Sequence, residues 1–476
     1  MPSPLSADSS DRMQPALFSV GSNSHGQLGQ GTLDDASTFQ RTTFPPACGR
    51  VLEMAFGGTH TLALCSVHGH KELFVAGSNA RGQLGPGEPS SRLTFEHLSL
   101  ELLLAALPDL DCERLESKQY VVEEIAASWE TSFVHLRSEE QGGSDVLLSM
   151  GANDWDELGV GPQAGEAGRL AQQFRCRLVD FSHLTPSPSP TTPPALRLLS
   201  IKAGPRHVVT HISLRSTFPD GHEHEERLFV GWGAARHGQL GYPSTTSRPP
   251  RTHPLPTPFA IPSLSSLSVI EYDVGRDHTA FLFPSGHSTT CPLHVLLLGS
   301  AKQGQLGPSL LTPSHGVLQP PLPLPAVEHS KDNQLSLSRI ACTWSGTYLL
   351  SSSLTDPLAT TLHAFGSNAH SQLGLPSSLP SSSTPLFIPL LTSPFHDRRA
   401  IEKLACGSEH VLVLSSVDGG AKEVWGWGWN EHGNLGDGST TNVERPLRIW
   451  PPLELGQATN VWAGNATSWI LVSVSS

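Results

Sequence analysis

Few residues in this chain have the types and spacing that covalent chemistry needs. The densest tract of metal-ligating types is His222-Glu223-His224-Glu225-Glu226. Imidazoles and carboxylates this close together are donors that a divalent ion takes. They fall, however, in a charged connection between two apolar runs, which reads as a solvated loop. Four histidines, His60, His207, His278 and His410, recur at one place in a repeated motif. Equivalent positions in successive repeats lie too far apart to converge on one substrate. These imidazoles are therefore expected to hydrogen-bond backbone within their own repeats. The chain contains no GxxxxGK[ST] phosphate loop, no GxSxG elbow and no HExxH pair. Its seven cysteines (Cys48, Cys65, Cys112, Cys176, Cys291, Cys342 and Cys406) are odd in number and form no CxxC pair. That argues against a zinc site or a disulfide framework and for a reducing compartment. The residues point to a non-enzymatic protein with no metal and no cofactor.

Tryptophan is the other informative residue type. Trp129, Trp155, Trp344, Trp427, Trp429, Trp462 and Trp469 fall near the ends of strand-like runs. Trp anchors dominate protein interfaces, often at more than about 2 kcal/mol each. Burial as space filler between repeats is the plain alternative. The expectation is that Trp129, Glu130, Trp344, Trp427, Glu431, His432 and Trp469 line a protein-binding face.

The elements that must position these residues come from two alternating motifs. The first is GSNSHGQLG from Gly21, GSNARGQLG from Gly77, GANDWDELG from Gly151 and GAARHGQLG from Gly233. It continues as GSAKQGQLG from Gly299, GSNAHSQLG from Gly366 and GWNEHGNLG from Gly428. Self-similarity at 56 to 82 residues marks a repeat architecture. The second motif reads AFGGTHTLAL from Ala55, AASWETSFVHL from Ala126 and KAGPRHVVTHI from Lys202. Later copies begin at Asp273, Ala341, Ala405 and Trp462. Each is a small residue and a turn, then an apolar run with β-branched or aromatic members. Each repeat is thus about four short strands, one propeller blade. Gly21, Gly26, Gly29, Gly77, Gly82, Gly85, Gly238 and Gly433 suit backbone at positive φ. Leu28, Leu84, Leu158, Leu240, Leu306, Leu373 and Leu435 read as plugs between blades.

The fold expected is all-β: a seven-bladed propeller over residues 16–476, after a disordered tail at 1–15. The chain starts in a first-motif hairpin and ends in a second-motif strand pair. Pairing the two would complete the seventh blade and leave no open sheet edge. Composition agrees: 476 residues with 44 Gly, 40 Pro and only 15% charged residues suit short strands and turns. A net charge of −13 argues against direct nucleic-acid binding. No apolar run is long enough to span a membrane. Long insertions lie at about 86–120, 161–200, 241–268, 308–338 and 375–400. A shared place in the repeat would bring them out on one face. Thr185–Pro194 and Arg248–Pro262 are rich in Pro, Ser and Thr and expected to be disordered, and Glu96–Leu107 to be a short helix.

The paired motifs resemble the repeats of the regulator of chromosome condensation family, along nearly the whole chain. The resemblance implies the seven-bladed fold. Members include exchange factors for Ran-type small GTPases, lectin-like inhibitors and adaptors, so it does not select a function. The departures narrow it. The second-motif His is replaced by Thr131, Gly346 and Thr467, beside Trp129, Trp344 and Trp469, and one hairpin runs from Trp425 to Asn434. This pattern is similar to the fungal α-tubulin-suppressor (killer-toxin-insensitivity) branch of the family. That resemblance implies a regulatory scaffold in the cytoplasm, with nuclear occurrence also compatible. Its implied partner is a small zinc-binding electron carrier of diphthamide synthesis, held as a heterodimer. Elongator-dependent modification of tRNA wobble uridines is the implied second role. The alternatives are guanine nucleotide exchange on a Ran-type GTPase or a generic propeller adaptor.

Overall fold

The computed structural model describes residues 16–473 apart from several connections. The residues outside the description are 47, 109–114, 116–119, 163–175, 185–192, 219, 242–247, 260–268, 270, 284–293, 308–334, 354–359, 389–398, 418–419 and 451–455. The expected disorder of the 1–15 tail and of 185–192 therefore lies outside the described residues.

Seven antiparallel sheets surround a central channel. Blade 1 runs Val51–Phe56, His60–Val67, His70–Gly77 and Arg92–Leu98 from channel to rim. The inner strands of blades 2 to 6 are Tyr120–Ala127, Ala195–Ala203, Glu271–Val274, Leu335–Cys342 and Arg399–Cys406. Blade 4 has three described strands and the other six have four. Second strands such as His60–Val67 and His410–Val417 are apolar nearly throughout because both of their faces are covered. Each apolar cluster draws on facing blades, so the core is seven wedges between sheets.

Blade 7 closes the ring. Gln457–Ala463 is its inner strand and Thr467–Ser473 its second, while Ala16–Gly21 and Ala36–Arg41 complete it from the other terminus. Ala16 pairs with Val472 and Gly21 with Thr467, six aligned pairs in unbroken register. The predicted propeller and its joint are both present.

Chain direction fixes what each face carries. Inner strands run toward one face, where the turn to the second strand and the later Gly-initiated hairpin both emerge. We call this the turn face. Connections between blades emerge on the other. The expected insertions do not share a single position, since most contain an outer strand: Arg92–Leu98, Arg177–Leu178, Thr252–Pro258 and Ser382–Phe387. Residues before each strand belong to the turn face and residues after it to the opposite face. Thr252–Pro258 also corrects the disorder expected for Arg248–Pro262: as a rim strand it has one unpaired edge, where prolines are tolerated. The helix expected over Glu96–Leu107 is only Leu100–Ala105, capped by the Ser99 hydroxyl and anchored by buried Leu103. Glu223–Glu226, expected in a loop, extends the third strand of blade 3 and pairs back along Leu214–Thr217.

Candidate functional site

The motif histidines join blades rather than bonding backbone within them. His60 Nε2 lies 2.8 Å from the Ser132 hydroxyl of the next blade, which donates to the Gln83 carbonyl at 2.7 Å. His207 meets Thr279 at 3.1 Å, and Thr279 donates to Gln239; His278 meets Thr347 at 3.2 Å, and Thr347 donates to Gln305. Because each of these hydroxyls spends its proton on a carbonyl, the imidazole must donate from Nε2. His410 and Ser468 form the fourth such pair at 3.0 Å. Burial pushes His60 and His207 down to about 3 and His278 and His410 to about 4, so all four are neutral. They are wedge residues with no route to a ligand.

The blades that lack this His are compensated. Val208 and Val411 stand where other blades carry the hydroxyl, and their partner blades carry Thr131 and Gly346 in place of His. An indole takes over at both joints. Trp232 Nε1 donates to the Glu157 carbonyl at 2.7 Å, and Trp427 Nε1 to the Gln372 carbonyl at 2.9 Å, joined there by the Tyr348 hydroxyl at 2.7 Å. At the closing joint Trp469 Nε1 donates to Thr467 Oγ1 at 3.1 Å, and Thr61 supplies the hydroxyl on Gln27. Trp427 and Trp469 are both 0% exposed. They were expected on a protein-binding face; the structure places them between blades, where loss of an imidazole left room for a larger ring. Sequence carried the signal in Val208 and Val411, whose meaning needs the pairing of neighbouring blades.

The other expected face residues do lie on the turn face. Trp129 of blade 2 and Trp344 of blade 5 reach across the channel mouth, with ring centroids 5.7 Å apart. Trp129 is 41% exposed. A chain of backbone bonds runs round the mouth: Gly58 N–H donates to Trp129 and Trp129 N–H to Pro205. Further round, Arg276 N–H donates to Trp344, Trp344 to Ser408 and Ser408 to Gly464. A Cβ on Gly58 would stand 2.7 Å from the Trp129 indole, so only glycine permits this seat. Glu130 is tied to Arg81, which also holds Asp154. On the far arc Glu431 is exposed, and His432 Nδ1 lies 2.7 Å from Asp35 and edge-on to Trp429. The seven expected residues thus divide into an indole pair with Glu130 near the mouth, Glu431 with His432 on the far arc, and two buried tryptophans.

Beneath the indole pair the channel encloses about 460 Å³. One level of the inner strands is polar, with Glu53, Glu124, Ser200, Glu271, Arg339, Lys403 and Asn460 at equivalent positions, and of these Glu53 and Lys403 line the space. An inner strand has a free edge facing the channel, and the carboxylates cap it. Glu124 accepts from Ile201 N–H, Glu271 from Ile340 N–H and Asp273 from Cys342 N–H, each on the following blade. Burial, helped by Glu124, pushes Glu53 up to about 7; burial, helped by Lys202 and Arg339, pushes Lys403 down to about 8. The Lys403 ammonium sits 4.5 Å from the Trp462 ring centroid. Among the described residues no group of three or more His, Cys, Asp or Glu is placed to hold a metal ion.

These features can be set beside known proteins. The regulator of chromosome condensation (RCC1) repeat matches residues 16–64, 228–282, 361–414 and 423–469, and a second description of that repeat matches 401–434. The chain is 27% identical over 469 residues to a secretion-regulating guanine nucleotide exchange factor from Bos taurus, covering 93% of this chain and 81% of the relative. By shape it resembles human WBSCR16, with a TM-score of 0.66 at 18% identity over 96% of this chain and 98% of that one. It also resembles Prp20p from Saccharomyces cerevisiae, with a TM-score of 0.62 at 19% identity over 97% and 93%. The structural likenesses establish the fold.

Proposed function

We propose that this chain, whose blades include repeats of the regulator of chromosome condensation type, binds a small GTPase on its turn face. There it promotes release of the bound guanine nucleotide. The observation that carries the reading is the indole pair Trp129 and Trp344, presented at the centre of that face on two arcs of backbone bonds. Solvent-facing aromatic anchors within a rim of polar and charged side chains are the usual make-up of an interface. The full-length similarity to a protein named as an exchange factor supplies the partner class.

Exchange requires no covalent step. A factor that binds the nucleotide-free GTPase more tightly than the loaded one lowers the GTPase's affinity for nucleotide by the same factor, and release speeds up as far as that loss falls on the dissociation rate. A closed ring suits this role because it cannot relax to fit both forms equally. Carboxylates on the face, Glu431 and Asp35 foremost, would oppose the nucleotide's phosphates electrostatically. Cytoplasmic action belongs to the same proposal.

The zinc-protein partner of diphthamide synthesis, with the Elongator link, rested on the irregular blades. Thr131, Gly346 and Thr467 now have a packing account in Trp232, Trp427 and Trp469, so they no longer speak for a partner. Exchange is the reading preferred. Its test is release of fluorescent GDP from a Ran-type GTPase, with Trp129→Ala and Trp344→Ala as the informative variants.

A further inference from the structure

We propose that the turn-face sector across blades 2 to 4 docks an acidic polypeptide segment of a partner protein. Its centre is Trp155, half-exposed on the blade 2 hairpin. The guanidinium carbons of Arg206, Arg236 and Arg251 lie 4.8, 5.3 and 5.9 Å from its ring centroid. They come from three separate segments of blade 3: the inner turn, the hairpin and the approach to the rim strand. Beside them a recess of about 380 Å³ is lined by Arg236, His237, Arg276, Asp277 and Lys302, among others.

All but one of the cations here lack acidic partners; the exception is Arg276, paired with Asp277. Arg206, Arg236, Arg251 and Lys302 face no carboxylate within ion-pair distance among the described residues. The nearby acids are engaged elsewhere: Asp154 with Arg81, Asp156 with the Thr252 hydroxyl and Asp277 with Arg276. Five permanent cations, Arg206, Arg236, Arg251, Arg276 and Lys302, thus outnumber three carboxylates, Asp154, Asp156 and Asp277, in this sector of a chain whose net charge is −13. Three like charges round one indole repel one another, and cation–π attraction offsets only part of that. A row of carboxylates would neutralise them, each guanidinium offering a bidentate fork.

The geometry favours a polypeptide over other anions. The cations spread over an open surface on blades 3 and 4 rather than closing on one point, unlike a phosphate cradle of converging backbone N–H groups. Trp155 stands apart among its guanidiniums, while Trp129 and Trp344 pack on each other, so there is no row of free rings on which successive bases would stack. The inference stands without the GTPase reading, since the segment can belong to any partner.

The experiment titrates the full chain against fluorescein-labelled deca-glutamate and follows anisotropy at about 50 mM salt, where screening is modest. Generic electrostatics would repel this probe from so acidic a chain, so saturable binding is itself informative. Arg236→Glu and Arg251→Glu should each weaken it about tenfold or more, and Trp155→Ala about threefold or more. Arg448→Glu, on the blade 6 rim and paired with Glu423, should leave it unchanged. Arg236 and Arg251 are exposed, so these variants should melt with the parent, and Lys302→Glu gives a second, independent reversal. Absence of saturable binding, equal loss in Arg448→Glu, displacement by inorganic phosphate, or tighter binding of a ten-residue oligothymidylate would each overturn the proposal. No GTPase enters this assay, so its failure and failure of the exchange reading are separable.

Discussion

Glu157 shows how far a single residue can depart from its repeat and keep the joint. Five of the other six hairpins carry Gln there (the last has Asn434), and the Gln Oε1 accepts the backbone N–H two residues earlier, as Gln27 does from His25 and Gln239 from His237. Glu157 accepts from Trp155 N–H in the same way, and burial pushes it up to about 8. Its native pKa lies above its unfolded value of 4.5, so the native state holds a proton that the unfolded chain loses. Stability from this group is complete below pH 4.5 and is lost as pH rises toward 8. Glu157→Gln should therefore stabilise by about 1–3 kcal/mol at pH 8 and by little at pH 4.5. Urea unfolding at the two pH values checks this. The motif histidines carry the opposite sign. Their native values lie below 6.5, so stability is lost as pH falls from 6.5 toward about 3–4. His207→Gln should flatten the fall in unfolding midpoint over that window. At the compensated joint, Trp427→Phe should cost about 1 kcal/mol for the lost bond to Gln372, against about 3–5 kcal/mol for Trp427→Ala. No loss in Trp427→Phe would mean that the indole N–H contributes nothing.

At the scale of elements, the seven hairpins and their closure were readable from the chain because glycine positions report backbone directly. Gly21 has φ of 114°, and a Cβ there would stand 2.1 Å from the Ala466 carbonyl oxygen, inside the joint between the two ends of the chain. Gly21→Ala should destabilise by about 2 kcal/mol or more, visible as a lowered melting temperature, whereas Gly69→Ala, with open space at its Cβ, should cost less. The rim strands were not readable. Arg92–Leu98 and Thr252–Pro258 carry charge and proline because one edge of each is unpaired, so they lack the apolar runs that mark inner strands. The joints between blades were half readable: the missing histidines stood out, but the indole replacements for Thr131 and Gly346 lie 101 and 81 residues on, where only the folded ring brings them together.

The whole molecule is a rigid ring with a differentiated face. Indoles close the channel mouth, unpaired cations occupy blades 3 and 4, and Asp35, Glu431 and Asp437 lie toward blades 6 and 7. Such a polarised face orients a partner before contact, so association should slow as salt rises. Of this face the sequence disclosed Trp129, Glu130, Trp344, Glu431 and His432. It did not disclose the Arg cluster round Trp155, whose members are scattered over 46 positions from 206 to 251. The measurement that bears most directly on the proposed role is release of fluorescent GDP from a Ran-type GTPase, with the chain at substoichiometric concentration. The account predicts release accelerated by about tenfold or more, and that gain lost in Trp129→Ala while the melting temperature is kept. An unchanged release rate, with no complex formed between the chain and the nucleotide-free GTPase, would contradict it.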